Sequence, residues 1–236
     1  MKLTILGKYG PFASGNKSTS GYLIQENDTN VLLDIGSGVL AKYRDIASVK
    51  DLSFLVLSHL HFDHVSDIGV LSYALAFSKR EEKLNVYLPN FESPVLETIK
   101  SIKEFNLIFI EENKTYFDSG LEFSFYKMTH PVLSYGVKIK SNKAVFSYSG
   151  DTTYNENIKN LVSNSSLALL DGAFLEKDYL DGKPHMSVKQ ASSFTNHFDG
   201  KVIITHLSEN YSDDEVESEI NNPRVEVAKE GKTYLV

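Results

Sequence analysis

The sequence predicts an α+β fold in which two sheets pack together and are covered by helices. Three observations lead there. Short apolar runs of about four or five residues, each followed by polar, Gly-punctuated residues, fill the first half and read as strands. The last third alternates apolar runs with helices that begin at recognisable caps. Several of those runs are continuously apolar rather than alternating, the pattern of strands covered on both faces.

Taken in order, strands are expected at residues 2–6, 21–25, 31–34, 54–57 and 84–88. A helix fits 67–77, where Ile68, Leu71 and Leu75 recur at helical spacing. Strands follow at 121–128, 135–140 and 144–148. Thr153-Tyr154-Asn155-Glu156 has the form of a capping box and predicts a helix to about Val162. Residues 167–170 form a buried strand. Ser187-Val188-Lys189-Gln190 is a second capping box, opening a helix with Val188, Ala191 and Phe194 on one face. A buried strand at 202–204, a polar helix near 213–220 and a strand at 232–235 complete the order.

Composition narrows the class. With 42% hydrophobic and 23% charged residues in 236, usage is that of an ordinary globular protein, which excludes disorder, collagen and coiled coil. No repeat or linker divides the chain, so one domain over 1–236 is expected. No apolar run approaches a membrane span, and none at the start suits a secretory signal. The absence of Cys excludes disulfides, thiolate ligands and a catalytic Cys, and the expected address is the cytoplasm. The net charge of −7, with no basic run longer than Lys79-Arg80, argues against a stable DNA partner.

The histidines are not scattered. His59, His61 and His64 stand with Asp63 in Ser58-His59-Leu60-His61-Phe62-Asp63-His64, a string that chance would produce on the order of once in a few thousand such chains. It leaves the carboxyl end of the 54–57 strand, where open α/β sheets place their sites. Four more strand ends deliver the same residue types: Asp34 after 31–33, His130 after 121–128, Asp151 after 144–148 and His206 after 202–204. His197 has no such partner and reads as a surface residue. Asp34 reads as a carboxylate that holds a metal-binding His in place.

Nitrogen and carboxylate ligands without sulfur suit Zn²⁺, Fe or Mn²⁺. Six candidates (His59, His61, Asp63, His64, His130 and His206) plus Asp151, a carboxylate able to bridge, make two sites rather than one. Two ions roughly 3.5–4 Å apart can hold a bridging hydroxide and stabilise the charge that develops in hydrolysis.

These residues, in this order and approximate spacing, resemble the metallo-β-lactamase superfamily over nearly the whole chain. The resemblance implies a four-layer αββα sandwich with a dinuclear site at one edge between the sheets, and two divalent ions, Zn²⁺ before Mn²⁺ or Fe. It implies that His59, His61 and His130 hold one ion, that Asp63, His64 and His206 hold the other, and that Asp151 bridges. The last third is similar to the ribonuclease Z-like phosphodiesterase branch, through His185-Met186-Ser187-Val188-Lys189-Gln190-Ala191 and Thr205-His206-Leu207-Ser208. That branch places an acidic residue, normally Glu, where this chain has Asp171. The inserted Gly/Pro- and Lys-rich arm with which ribonuclease Z grips transfer RNA is not visible.

The resemblance therefore implies hydrolysis of a small phosphodiester, with Asp63, His185 and Asp171 as candidate catalytic residues and His185 assisting the leaving group. Alternatives are a thioester, lactone or lactam hydrolase with the same metals, a ribonuclease Z-type endonuclease acting on RNA, and a non-catalytic binding module. A glyoxalase-type hydrolase would need a helical C-terminal domain that the 30 residues after His206 cannot supply, and a diiron oxygen reductase would resemble Glu at the position of His61. A homodimer is expected as the assembly, with no membrane association. The amides at the start of the helix after Ser187 are expected to seat a phosphate oxygen. The dipole there would lower the pKa of His185, whereas Asp171, if paired with it, would raise it.

Overall fold

The computed structural model describes residues 1–236 and contains two seven-stranded sheets. The first is built from β1 (Lys2–Gly7), β2 (Gly21–Glu26), β3 (Thr29–Leu33), β4 (Leu52–Val56), β5 (Leu84–Leu88) and β6 (Phe105–Phe109). The second is built from β7 (Thr115–Asp118), β8 (Leu121–Met128), β9 (Ser134–Lys140), β10 (Val145–Tyr148), β11 (Leu167–Asp171), β12 (Lys201–Thr205) and β13 (Val225–Val227). The strand β14 (Thr233–Leu235) returns to the first sheet and pairs antiparallel with β1. Strands β3 to β6 run parallel to one another, as do β10 to β13.

Side-chain alternation explains the layering. In β4, Phe54 and Val56 join the core between the sheets, while Leu52 and Leu55 face the outer helices. In β11, Leu167 and Leu169 point between the sheets, and Ala168 and Leu170 point outward. A period of two that feeds two apolar environments gives the unbroken hydrophobic runs seen in the sequence. The outer layers are α1 (Val39–Arg44), α2 (Phe62–Val65), α3 (Ile68–Phe77) and α4 (Pro94–Lys100) on the first sheet. On the second lie α5 (Asn157–Val162), α6 (Val188–Ser193) and α7 (Asp213–Ser218). The expected α+β sandwich of four layers is what forms. No helix is long and apolar enough to cross a membrane.

Several elements depart from expectation. The edge strands β6, β7 and β13 were not anticipated, because edges are short and mix polar residues into their pattern, as Asn106 does in β6. The short helices α1, α2 and α4 also lacked a periodic signal. The strand expected at 31–34 stops at Leu33, since Asp34 turns into the left-handed region at φ 57. The capping box expected at Thr153 does not form, and α5 starts at Asn157 instead. The amide of Thr153 is drawn to the carbonyl of Thr129, and Asn155 Oδ1 accepts from the amide of Asn157, a local turn that holds the chain out of the helix. The box at Ser187 forms as expected, with both reciprocal bonds present.

Phe123 is the middle of the aromatic packing between the sheets. It stacks on Phe54 with ring centroids 5.1 Å apart and on Tyr116 at 5.6 Å, and meets the edge of Tyr87 at 4.9 Å. Phe123→Ala is expected to cost about 3–5 kcal/mol, read as a lower denaturant midpoint at unchanged slope.

Candidate active site

All the side chains singled out at strand ends meet at one rim, where the carboxyl ends of the parallel strands of both sheets open. Asp34 leaves β3, His59 and His61 leave β4, and α2 carries Asp63 and His64. From the second sheet come His130 after β8, Asp151 after β10, Asp171 at the end of β11 and His206 after β12. Asp34 and His206 both hold left-handed backbone, at φ 57 and 58, a cost that neighbouring contacts must offset.

Asp34 is fully buried and organises the rest. Its Oδ1 accepts the Ser58 amide at 2.7 Å. Its Oδ2 accepts three donors: Ser58 Oγ at 2.8 Å, Tyr148 Oη at 2.7 Å and His64 Nδ1 at 2.8 Å. Ser58 has one hydroxyl proton and gives it to Asp34, so at 3.1 Å from His59 Nδ1 it accepts. One carboxylate thus fixes the tautomer of His64 directly and of His59 through Ser58. Both imidazoles are left with a bare Nε2.

Those bare nitrogens face other acceptors. His130 donates Nδ1–H to the carbonyl of Pro184 at 3.1 Å, so its Nε2 is bare as well. His61 Nδ1 lies 3.0 Å from His59 Nε2 and 3.1 Å from His130 Nε2. A single proton on His61 cannot satisfy both neighbours fully. A tetrahedral ion with bonds of about 2.0–2.1 Å would set such nitrogens roughly 3.3 Å apart, close to what is found. In the second set, His64 Nε2 and Asp151 Oδ1 lie 3.3 Å apart, both buried and both without a hydrogen-bond partner. His206 Nε2 sits 3.2 Å from Asp63 Oδ2 and 3.1 Å from Asp151 Oδ2. Buried acceptors turned toward one another are costly unless a positive charge lies between them, and a divalent cation fits that need.

The buried charges are strongly coupled. Burial alone would depress the His64 imidazole, yet Asp151 and Asp34 raise it well above its ordinary value. Burial would raise Asp151, yet His206, His64 and His59 hold it well below the carboxylate range. His59, with no carboxylate bonded to it, is pushed well below its ordinary value by burial. Three groups of candidate ligand atoms result, each within 4.8 Å: His59, His61, His130 and Asp151; Asp63, His64, Asp151 and His206; and Asp171, His185 and His206, of which the last is already closed by the hydrogen bond between its first two members. Asp151 belongs to the first two, and their donor set fits divalent ions of the Zn²⁺, Mn²⁺ or Fe type.

Beside the first two groups, His185 Nδ1 bonds Asp171 Oδ2 at 2.8 Å, and its ring stacks on His206 at 4.8 Å. The Asp171 oxygens also accept the amides of Thr152 and Ala173, so the carboxylate is held on both sides. Burial lowers the His185 pKa, but Asp171 more than reverses this and raises it to about 9. Three of the amides expected to seat a phosphate are already engaged. The Val188 amide donates to the carbonyl of Phe174, the Gln190 amide to Ser187 Oγ and the Ser187 amide to Gln190 Oε1. His197 is exposed, as expected of a surface residue.

Sequence reasoning missed Ser58, Tyr148 and Gly10. Ser58 precedes the His string and Tyr148 ends a strand, so position alone flagged neither hydroxyl. Gly10 packs against the His206 ring so closely that any Cβ there would overlap it.

Comparison with known proteins bears on this site. The Anti-Pycsar protein Apyc1 family matches residues 1–234. The chain is 28% identical to the probable metallo-hydrolase YhfI of Bacillus subtilis (strain 168), covering 98% of each. The crystal structure of that metallo-β-lactamase fold protein superposes with a TM-score of 0.90 at 26% identity, covering 99% of this chain and 98% of that one. Ribonuclease Z of Methanosarcina acetivorans is 21% identical, over 91% of this chain and 90% of its own. Human tRNase Z, short form, shares the fold with a TM-score of 0.81 at 15% identity, over 100% of this chain and 99% of that one.

Asp34→Ala would strand the Ser58 amide and hydroxyl, Tyr148 Oη and His64 Nδ1 without an acceptor. The metal-free variant is expected to lose about 3–5 kcal/mol in chemical denaturation, against roughly 1 kcal/mol for Tyr148→Phe, which removes one donor and leaves the hub.

Proposed function

The chain belongs to the Anti-Pycsar protein Apyc1 family and is a metal-dependent hydrolase of the metallo-β-lactamase superfamily, and from that premise we propose that it hydrolyses small phosphodiesters. The observation that carries this reading is the His185–Asp171 pair beside the two groups of ligand atoms that share Asp151. A phosphodiester with an alkoxide leaving group needs a proton at that oxygen, and a His kept protonated by a buried carboxylate is suited to give it.

In this reading His59, His61 and His130 would hold one ion, Asp63, His64 and His206 would hold the other, and Asp151 is placed to serve either. Bound divalent ions would supply an activated water and positive charge toward the phosphoryl oxygens, with Zn²⁺ preferred and Mn²⁺ or Fe as alternatives. Asp34 orients His64, and through Ser58 it orients His59, so that both present Nε2. Asp171 fixes the His185 ring and keeps Nδ1 protonated. Asp63 Oδ2 lies 3.2 Å from His206 Nε2, so the two face one space. The net charge of −7 and the missing basic arm favour a small diester over transfer RNA. Ribonuclease Z relatives, whose name denotes RNA cleavage, support phosphodiester chemistry as the reaction class. One domain spanning 1–236, in the cytoplasm, completes the reading.

Protein purified without chelator and loaded with Zn²⁺ or Mn²⁺ is expected to carry two equivalents per chain by elemental analysis. Asp34→Ala should weaken metal affinity by roughly 10–100-fold. One equivalent at saturation would sink the two-ion reading.

The loaded enzyme should turn over an aryl phosphodiester and a cyclic nucleotide, and leave an unprocessed tRNA, a thioester and a lactam essentially untouched. His185→Ala should lower kcat by roughly 10²–10⁴ on diesters with poor leaving groups, and far less on the activated aryl diester, with metal content unchanged. The wild-type rate on poor leaving groups should fall as pH rises through about 9, where His185 gives up its proton. Full activity of His185→Ala on a poor leaving group would remove it from the mechanism.

A further inference from the structure

Three histidines of the rim are oriented by a hydrogen bond at Nδ1: His64 by Asp34, His59 by Ser58 and His130 by the carbonyl of Pro184. His206 is not. Its Nδ1 is buried without a hydrogen-bond partner, and its backbone is held in the left-handed region at φ 58. The ring is positioned by shape instead. The rings of His185 and His64 stack on it with centroids 4.8 and 5.3 Å away, and Gly10 closes on it from a different segment. A Cβ at Gly10 would lie 2.1 Å from Cε1 and 2.2 Å from Nε2, so only a glycine leaves the ring where it is. Nε2 is the very atom that faces Asp63 and Asp151.

Gly10 is itself tied down. Its amide donates to the carbonyl of Leu207 at 3.1 Å, and the Leu207 amide donates to the carbonyl of Lys8 at 2.8 Å, two bonds that grip the residue after His206. The Lys8 side chain is 2% exposed and donates to Asp213 Oδ1 on α7 at 2.6 Å. Further along, the amides of Ser14 and Ser18 donate to Glu209 Oε2 and Glu230 Oε1, each at 2.8 Å. All three carboxylates belong to the stretch of chain that follows His206. We propose that residues 8–18 form a strap that positions His206, so that Lys8 and Gly10 set the affinity of the ion that Asp63, His64 and His206 would hold. This rests on the two-ion reading of the site. A buried ammonium is costly to desolvate, and an apolar side chain of the same length would avoid that cost, so the Lys8–Asp213 pair is read as fixing position rather than adding stability. The other ion owes nothing to the strap, because His59 and His130 have hydrogen bonds of their own.

The test needs no substrate. Metal-free protein is titrated with Zn²⁺ against a fluorescent chelator. Gly10→Ala and Lys8→Met should weaken the second equivalent by roughly 10–100-fold, as the loss of an orienting contact does, and leave the first unchanged. Lys138→Met is the control for a purely structural role. That lysine is also buried, and it donates to the carbonyls of Asn160 and Ser163, so its loss should lower the melting temperature and leave both equivalents alone. The imidazole ¹H–¹⁵N spectrum of the metal-free protein gives a second readout: the His206 ring signals should shift or broaden in both strap variants, and those of His59 should not. If wild type takes up a single equivalent, the two-ion reading fails and this spectrum alone judges the strap. Should Gly10→Ala misfold, Lys8→Met decides, since Asp213 is half-exposed and is left to water. Equal weakening of both equivalents, unchanged His206 ring signals in the strap variants, or the same selective loss in Lys138→Met would each overturn the proposal.

Discussion

One carboxylate oxygen sets the chemistry of this molecule. Asp34 Oδ2 collects a serine hydroxyl, a tyrosine hydroxyl and an imidazole N–H, all at 2.7–2.8 Å and all in the dry interior. Because the carboxylate draws in all three donors, Ser58 is left to accept from His59, and the rings of His59 and His64 have a fixed tautomer and a fixed direction. Everything at the rim depends on it: two nitrogens with free lone pairs, aimed at one space, before any ion arrives. The arrangement is pre-organised at the expense of backbone strain at Asp34 itself.

The second sheet answers the first across the gap. Asp151 reaches out from β10 so that one oxygen faces His64 and the other faces His206. Tyr148, three residues earlier, reaches back to Asp34. A single short strand therefore ties the candidate ligands of one sheet to those of the other, and the packing of Tyr22 on Tyr148, with centroids 4.9 Å apart, keeps the hydroxyl in place. Core packing and site geometry are here the same set of contacts.

Much of this was legible in the sequence, and the reason is periodicity. Buried strands with apolar residues on both faces stand out as unbroken runs, and a polar ligand at the end of each run is a visible break. That is why His59, His61, His130, Asp151 and His206 could be placed, and why the sandwich could be anticipated. The pairing of His185 with Asp171 rested on family likeness, since fourteen intervening residues carry no spacing rule. Ser58, Tyr148 and Gly10 were out of reach, because a hydroxyl or a missing Cβ matters only once a partner distant in sequence is beside it. The false capping box at Thr153 failed for a related reason: the local pattern was sound, but the carbonyl of Thr129 competed for the amide.

The return of β14 to pair with β1 has a consequence for how the chain acquires its structure. Lys2 lies opposite Leu235, and Leu3 opposite Tyr234, so one border of the first sheet stays bare until those distant residues have been synthesised. His206 also emerges long after Asp34. Contacts of such separation close slowly and late. A nascent chain therefore passes through a period with an open sheet border and with the His206 corner of the candidate site still missing, when it is able to aggregate.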